Sequence, residues 1–146
     1  MNYRKLCLFS TLIVVVALVG CARAARDTSG FAMADSATVD ASFMDTWQTT
    51  KAVLREMDLN LYTRDKRGVF VAYSGMKRRH HIGTPHRTQL TITLEEVSGE
   101  ATKITIETIR QVYGVTLLTY PDWHDRQTTD NETALAILEA IQGKLS

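Results

Sequence analysis

Between residues 90 and 107 apolar and polar side chains alternate with a period of two. Leu90, Ile92 and Leu94 interleave with Thr91, Thr93 and Glu95; beyond Val97-Ser98-Gly99-Glu100, Ile104 and Ile106 interleave with Thr105 and Glu107. A strand sends successive side chains to opposite faces, so this stretch predicts two antiparallel strands with one dry face and one wet face. Shorter alternating runs precede it, Leu59, Leu61 and Thr63, then Val69, Val71 and Tyr73, separated by a turn at Arg64-Asp65-Lys66-Arg67-Gly68. A one-sided sheet has to bury its dry face against something.

Two amphipathic helices supply the cover. Ser42 with Asp45 marks an N-cap, and Phe43, Trp47, Leu54 and Met57 follow at near-helical spacing, giving a helix of about 43–57. Thr129 and Glu132 stand at capping-box spacing before Ala134, Leu138, Ile141 and Leu145, with Ile137 alongside and Gly143 as the expected stop. The expected fold is α+β: a two-layer sandwich, an antiparallel meander of about four strands with both helices on one face. Residues 37–40 read as a short strand leading in. The stretches 75–87 and 120–129 read as loops.

The N-terminus carries an address. Arg4 and Lys5 precede an apolar run from Leu6 to Val19, about 14 residues, where a membrane-spanning helix needs roughly 20. A basic start and a short apolar core make a secretory signal. It closes on Leu18-Val19-Gly20-Cys21, which resembles the lipobox of bacterial lipoproteins. The resemblance implies that Cys21 receives diacylglycerol, that cleavage falls before it, and that the protein is held in the membrane by acyl chains on Cys21. Ala22 in place of Asp implies an outer-membrane destination facing the periplasm. Two other readings are ordinary cleavage after Ala22-Arg23-Ala24 and retention as an uncleaved anchor. The expected organisation is a signal peptide over 1–20, a lipidated Cys21 and flexible tether over 21–38, and one domain over 39–146. Cys7 falls in the signal, so no disulfide is expected, and removal of the signal leaves 15 basic against 16 acidic residues. With so little net charge, nucleic acid is not an expected partner.

The order helix, meander, helix also resembles small α+β bacterial lipoprotein domains, through "AVLREMDL", "KITIETI" and "ALAILEAI", and more remotely the helix-grip accessory domains of outer-membrane assembly lipoproteins. Neither resemblance brings a catalytic motif.

Two clusters stand out as candidate sites. Lys77, Arg78, Arg79, His80 and His81 form a dense basic stretch, either an anion or partner dock or a solvated hairpin tip. Tyr120, Asp122, Trp123, His124, Asp125 and Arg126 concentrate aromatic and charged groups in seven residues. Their readings are a structural plug, with Trp123 closing the core, a partner-binding loop, or a hydrolytic base at His124 oriented by Asp122 or Asp125. No nucleophile elbow or phosphate loop completes an enzyme site. His80, His81, His86 and His124 lack metal-ligand spacing, and no cofactor is called for. The expected function is a non-enzymatic, lipid-anchored envelope protein that binds a partner, with a small-ligand carrier using a helix–sheet groove as the alternative.

Overall fold

The computed structural model describes residues 30–75, 84–114 and 120–146. Along the chain run β1 (Met33–Val39), α1 (Phe43–Glu56), β2 (Asn60–Asp65), β3 (Val69–Tyr73), β4 (His86–Ser98), β5 (Ala101–Gly114), β6 (Asp122–Arg126) and α2 (Glu132–Leu145). Among the described residues the architecture is α+β, with one antiparallel sheet and two helices. β2 to β5 form a four-stranded meander, but the sheet has six strands, in the order β1-β5-β4-β3-β2 with β6 also on β5. β5 has 14 residues, long enough to hold both extra strands end to end. Residues 102–108 pair with β1, and 110–114 pair with β6.

Both additions correct the sequence reading. The folded unit begins at Met33, so residues 33–38 belong to a strand and not to a flexible tether. The inward side chains of β1 are Met33, Asp35, Ala37 and Val39, too mixed to display an apolar alternation. The inward Asp35 carboxylate is satisfied by Asn131 Nδ2, which donates to both its oxygens at 3.0 and 3.2 Å. The stretch 122–126, read as a loop, is a strand because β5 offers an unpaired edge beyond β1.

The dry face is as expected along β4 and β5. Leu90, Ile92, Ile104 and Ile106 are fully buried beneath Leu54 of α1 and Ile137 and Ile141 of α2. In β3 the face is reversed. Phe70 and Ala72 are buried, while Val69, Val71 and Tyr73 point away from the helices. Val-Phe-Val-Ala-Tyr is apolar on both sides, so periodicity alone does not choose. Pairing chooses, by setting Phe70 opposite Ile92 and Ala72 opposite Leu90. A bulge at Tyr62 then changes the register of β2 between Leu61 and Thr63.

α1 starts as expected. Ser42 Oγ accepts from Asp45 N at 3.2 Å, and Trp47 lies against Phe70 with its Nε1 donating to the Asp65 carbonyl at 2.9 Å. α2 starts differently. Asn131 is committed to Asp35, and Asp130 Oδ1 accepts from Glu132 N at 3.0 Å in place of a Thr129–Glu132 box. Nor does Gly143 stop the helix, which continues to Leu145. Between β2 and β3, Gly68 has φ of +100°, and a side chain there would meet the Leu94 carbonyl at 2.7 Å. Only glycine suits this turn.

Candidate functional site

Among the described residues, no secondary structure covers the sheet face opposite the helices, yet at one end its side chains are locked together. Three cross-strand rows build this region. Tyr73 stands opposite Gln89, Arg87 opposite Gln111 and then Asp125, and Tyr113 opposite Trp123. Alternation places all of them on the same face, and strand spacing brings neighbouring rows into contact.

Arg87 is the centre. Its guanidinium carbon lies 3.9 Å from the Tyr73 ring centroid and 4.1 Å from that of Trp123, so the cation sits between two aromatic rings. Arg87 Nε donates to Gln111 Oε1 at 2.8 Å. Gln111 Nε2 donates in turn to Gln89 Oε1 at 3.0 Å and Asp125 Oδ1 at 2.9 Å. Gln111 is buried, so the amide both fixes the guanidinium and has its own polar atoms satisfied. Edge-on aromatic contacts extend the row at each end: Tyr62 to Tyr73 at 5.9 Å and Tyr113 to Trp123 at 5.3 Å. The result is a continuous aromatic–arginine stack, Tyr62–Tyr73–Arg87–Trp123–Tyr113, with Tyr62 78% and Tyr113 37% exposed.

The sequence candidates separate on this frame. Trp123 does not close the core; it belongs to the helix-free face. Asp125 joins it there through Gln111. His124 points to the other face, so Asp125 does not orient it, and Asp122 Oδ1 accepts from Trp123 N at 2.7 Å. His124 Nε2 is buried without a hydrogen-bond partner among the described residues, its ring beside Gly114. Arg126 Nη1 donates to the Asp125 carbonyl at 2.8 Å, and Tyr120 is 92% exposed. Cys21 and the stretch from Lys77 through Arg78, Arg79 and His80 to His81 lie outside the described residues.

Arg87, Gln89, Gln111, Tyr73 and Tyr113 were not singled out from sequence. A signal existed for two of them: extending the Leu90-Ile92-Leu94 alternation backwards puts Gln89 and Arg87 on the wet face. Their convergence on Trp123 depends on β6, which has no alternation of its own. In comparisons with known proteins, no family model matches the chain and no curated relative is found.

What the arrangement can supply chemically is a cation and aromatic rings held in fixed positions. Trp, Tyr and Arg are the residue types that carry most of the energy of protein–protein contacts. A guanidinium already held in place loses little conformational freedom on binding.

Proposed function

We propose that this is a lipid-anchored cell-envelope protein, non-enzymatic in role, whose α+β domain binds a protein partner through the helix-free face of its sheet. The observation that carries the reading is the rigid Tyr73–Arg87–Trp123 stack, flanked by exposed Tyr62 and Tyr113. It has the composition of an interface hot spot, on a face that no helix among the described residues covers. The carrier alternative draws less support. The middle of the helix–sheet interface, with Leu54, Phe70, Ile92 and Ile137, is closed to solvent. The cavity of about 310 Å³ at its edge is lined by polar side chains, Ser74, His86, Thr88, Arg110 and Thr128 among them.

The anchor is tested by Cys21→Ser, which abolishes lipid labelling and maturation at that site. The interface is tested by crosslinking in the envelope. Arg87→Ala and Tyr113→Ala abolish a crosslinked partner that Leu135→Ala, on the exposed side of α2, leaves in place. A partner retained by all three variants moves the interface elsewhere.

A further inference from the structure

β2 forms one edge of the sheet, and its ladder with β3 is irregular there. Leu61 stands opposite Ala72 and Thr63 opposite Val71, so Tyr62 is the extra residue of a bulge. A bulge on an edge strand re-aims a side chain. Tyr62 is 78% exposed, and its ring meets Tyr73 edge-on at 5.9 Å, at one end of the aromatic–arginine stack. The same residue lines a cleft of about 490 Å³ together with Leu61, Arg64 and, from α1, Arg55. One ring therefore borders both the helix-free face and the cleft.

The charges around the cleft do not cancel. Arg55 and Arg64 are exposed, and neither guanidinium makes an ion pair or hydrogen bond among the described residues. Residues 51–67 hold five bases, Lys51, Arg55, Arg64, Lys66 and Arg67, against three acids, Glu56, Asp58 and Asp65. Two of the acids are already engaged: Glu56 accepts from Lys144 at 3.1 Å, and Asp65 from Arg67 at 2.6 Å. That sets Asp58 alone against Lys51, Arg55, Arg64 and Lys66, and Asp58 does not line the cleft.

We propose that this cleft receives a carboxylate from an acidic segment of the protein partner, with Arg55 and Arg64 as its cationic walls and Tyr62 joining it to the stack. This rests on the partner-binding reading and adds the partner's charge to it. The planar fork of a guanidinium matches a carboxylate with two parallel hydrogen bonds. Leu61, half-buried, offers an apolar floor to the methylenes of a glutamate. Because both arginines are exposed, replacing them leaves the fold intact, so a loss of binding reports on the cleft.

The test uses the full chain purified from envelopes and a rhodamine-labelled peptide of alternating Glu and Ser around one Phe, with Gln replacing every Glu in its control. Fluorescence anisotropy is expected to show binding of the acidic peptide alone, weakening as salt rises. Arg55→Gln and Arg64→Gln each weaken it about fivefold. Arg126→Gln, an exposed arginine of β6 away from the β2 edge, leaves it unchanged. Equal binding of the two peptides, or indifference to both arginines, overturns the proposal and leaves Arg55 and Arg64 as charges that keep the β2 edge from pairing with another sheet. Binding of inorganic phosphate or of phosphatidylglycerol vesicles at these arginines, without the acidic peptide, overturns it too.

Crosslinking in the envelope separates this proposal from the reading beneath it. Arg55→Glu and Arg64→Glu are expected to lose the partner that Arg87→Ala loses. If they keep it while Arg87→Ala loses it, the cleft lies outside the interface and this proposal fails alone. If Arg87→Ala and Tyr113→Ala keep it, the interface reading fails, and the peptide decides the cleft: arginine-dependent binding sustains a site for an acidic segment, and absence of binding ends it.

Discussion

The two faces of the sheet are built by different physics from the same strands. On the covered face, Leu90, Ile92, Ile104 and Ile106 are interchangeable in kind: their contribution is area removed from water, at about 25 cal/mol per Å². On the bare face, the contribution of Arg87, Gln111 and Trp123 depends on direction, because a hydrogen bond or a stacked cation is lost when one partner turns. The first face tolerates conservative exchange and forbids charge; the second tolerates charge and forbids loss of a specific partner. A fold needs the first. The second is what a recognition surface needs, since it stays ordered while remaining accessible.

The largest difference between the faces appears when a carboxylate is placed on each. Ile106→Asp buries an unpaired charge at several kcal/mol, against a total stability of about 5–15 kcal/mol, and is expected to unfold the domain. Thr105→Asp, one residue away and outward, is expected to leave the melting transition nearly in place. Equal losses in thermal melting would contradict a one-sided sheet. Gly68→Ala is next. Its φ of +100° and the nearby Leu94 carbonyl make it cost about 1–3 kcal/mol in denaturant unfolding, by strain at the turn that joins β2 to β3.

The covered face is readable because burial leaves a periodic imprint: Leu90-Ile92-Leu94 and Ile104-Ile106 lie where alternation puts them, and Ala134, Leu138 and Ile141 of α2 where helical spacing does. Where a strand is apolar on both sides, as in Val69–Tyr73, or mixed on its inward side, as in β1, the imprint is missing. Partners then decide the outcome. The candidate site was legible only in fragments. Trp123 and Asp125 drew attention as part of a dense cluster, but Arg87 lies 36 residues before Trp123, and nothing local links them. The link is made by β5, which pairs with β4 on one side and β6 on the other.

The aromatic–arginine stack itself predicts a smaller and more specific effect. Trp123→Ala removes a half-buried ring stacked on a cation, so a loss of about 1–2 kcal/mol is expected instead of the 3–5 kcal/mol of a core aromatic. Arg87→Ala should overlap with it. In a double-mutant cycle the two losses combine to less than their sum, with a coupling of about 0.5–2 kcal/mol. Strict additivity would mean that the stack is a coincidence of packing and would weaken its claim as a rigid surface.

The smallest effect separates Arg87 from an arginine left in water. Arg67 is paired with Asp65 at 2.6 Å in the β2–β3 turn, with its side chain 89% exposed. The Arg67 side-chain hydrogen bond, helped by the Arg67 backbone N–H, lowers the Asp65 carboxyl below its ordinary value. A carboxyl lowered in the folded state adds stability above its unfolded pKa and loses that contribution as pH falls through the folded value. The pair therefore acts at neutral pH and fades only on acidification. Because solvent screens it, Arg67→Ala is expected to leave the melting temperature at pH 7 within experimental error. It should slightly flatten the loss of stability on the acid side, without abolishing it, since the Arg67 N–H still donates to Asp65 Oδ1. Arg87→Ala is expected to cost about 1–2 kcal/mol at pH 7, because it removes a cation held between the Tyr73 and Trp123 rings. If Arg67→Ala proves as costly as Arg87→Ala at pH 7, the contrast between a caged arginine and a solvated one is wrong.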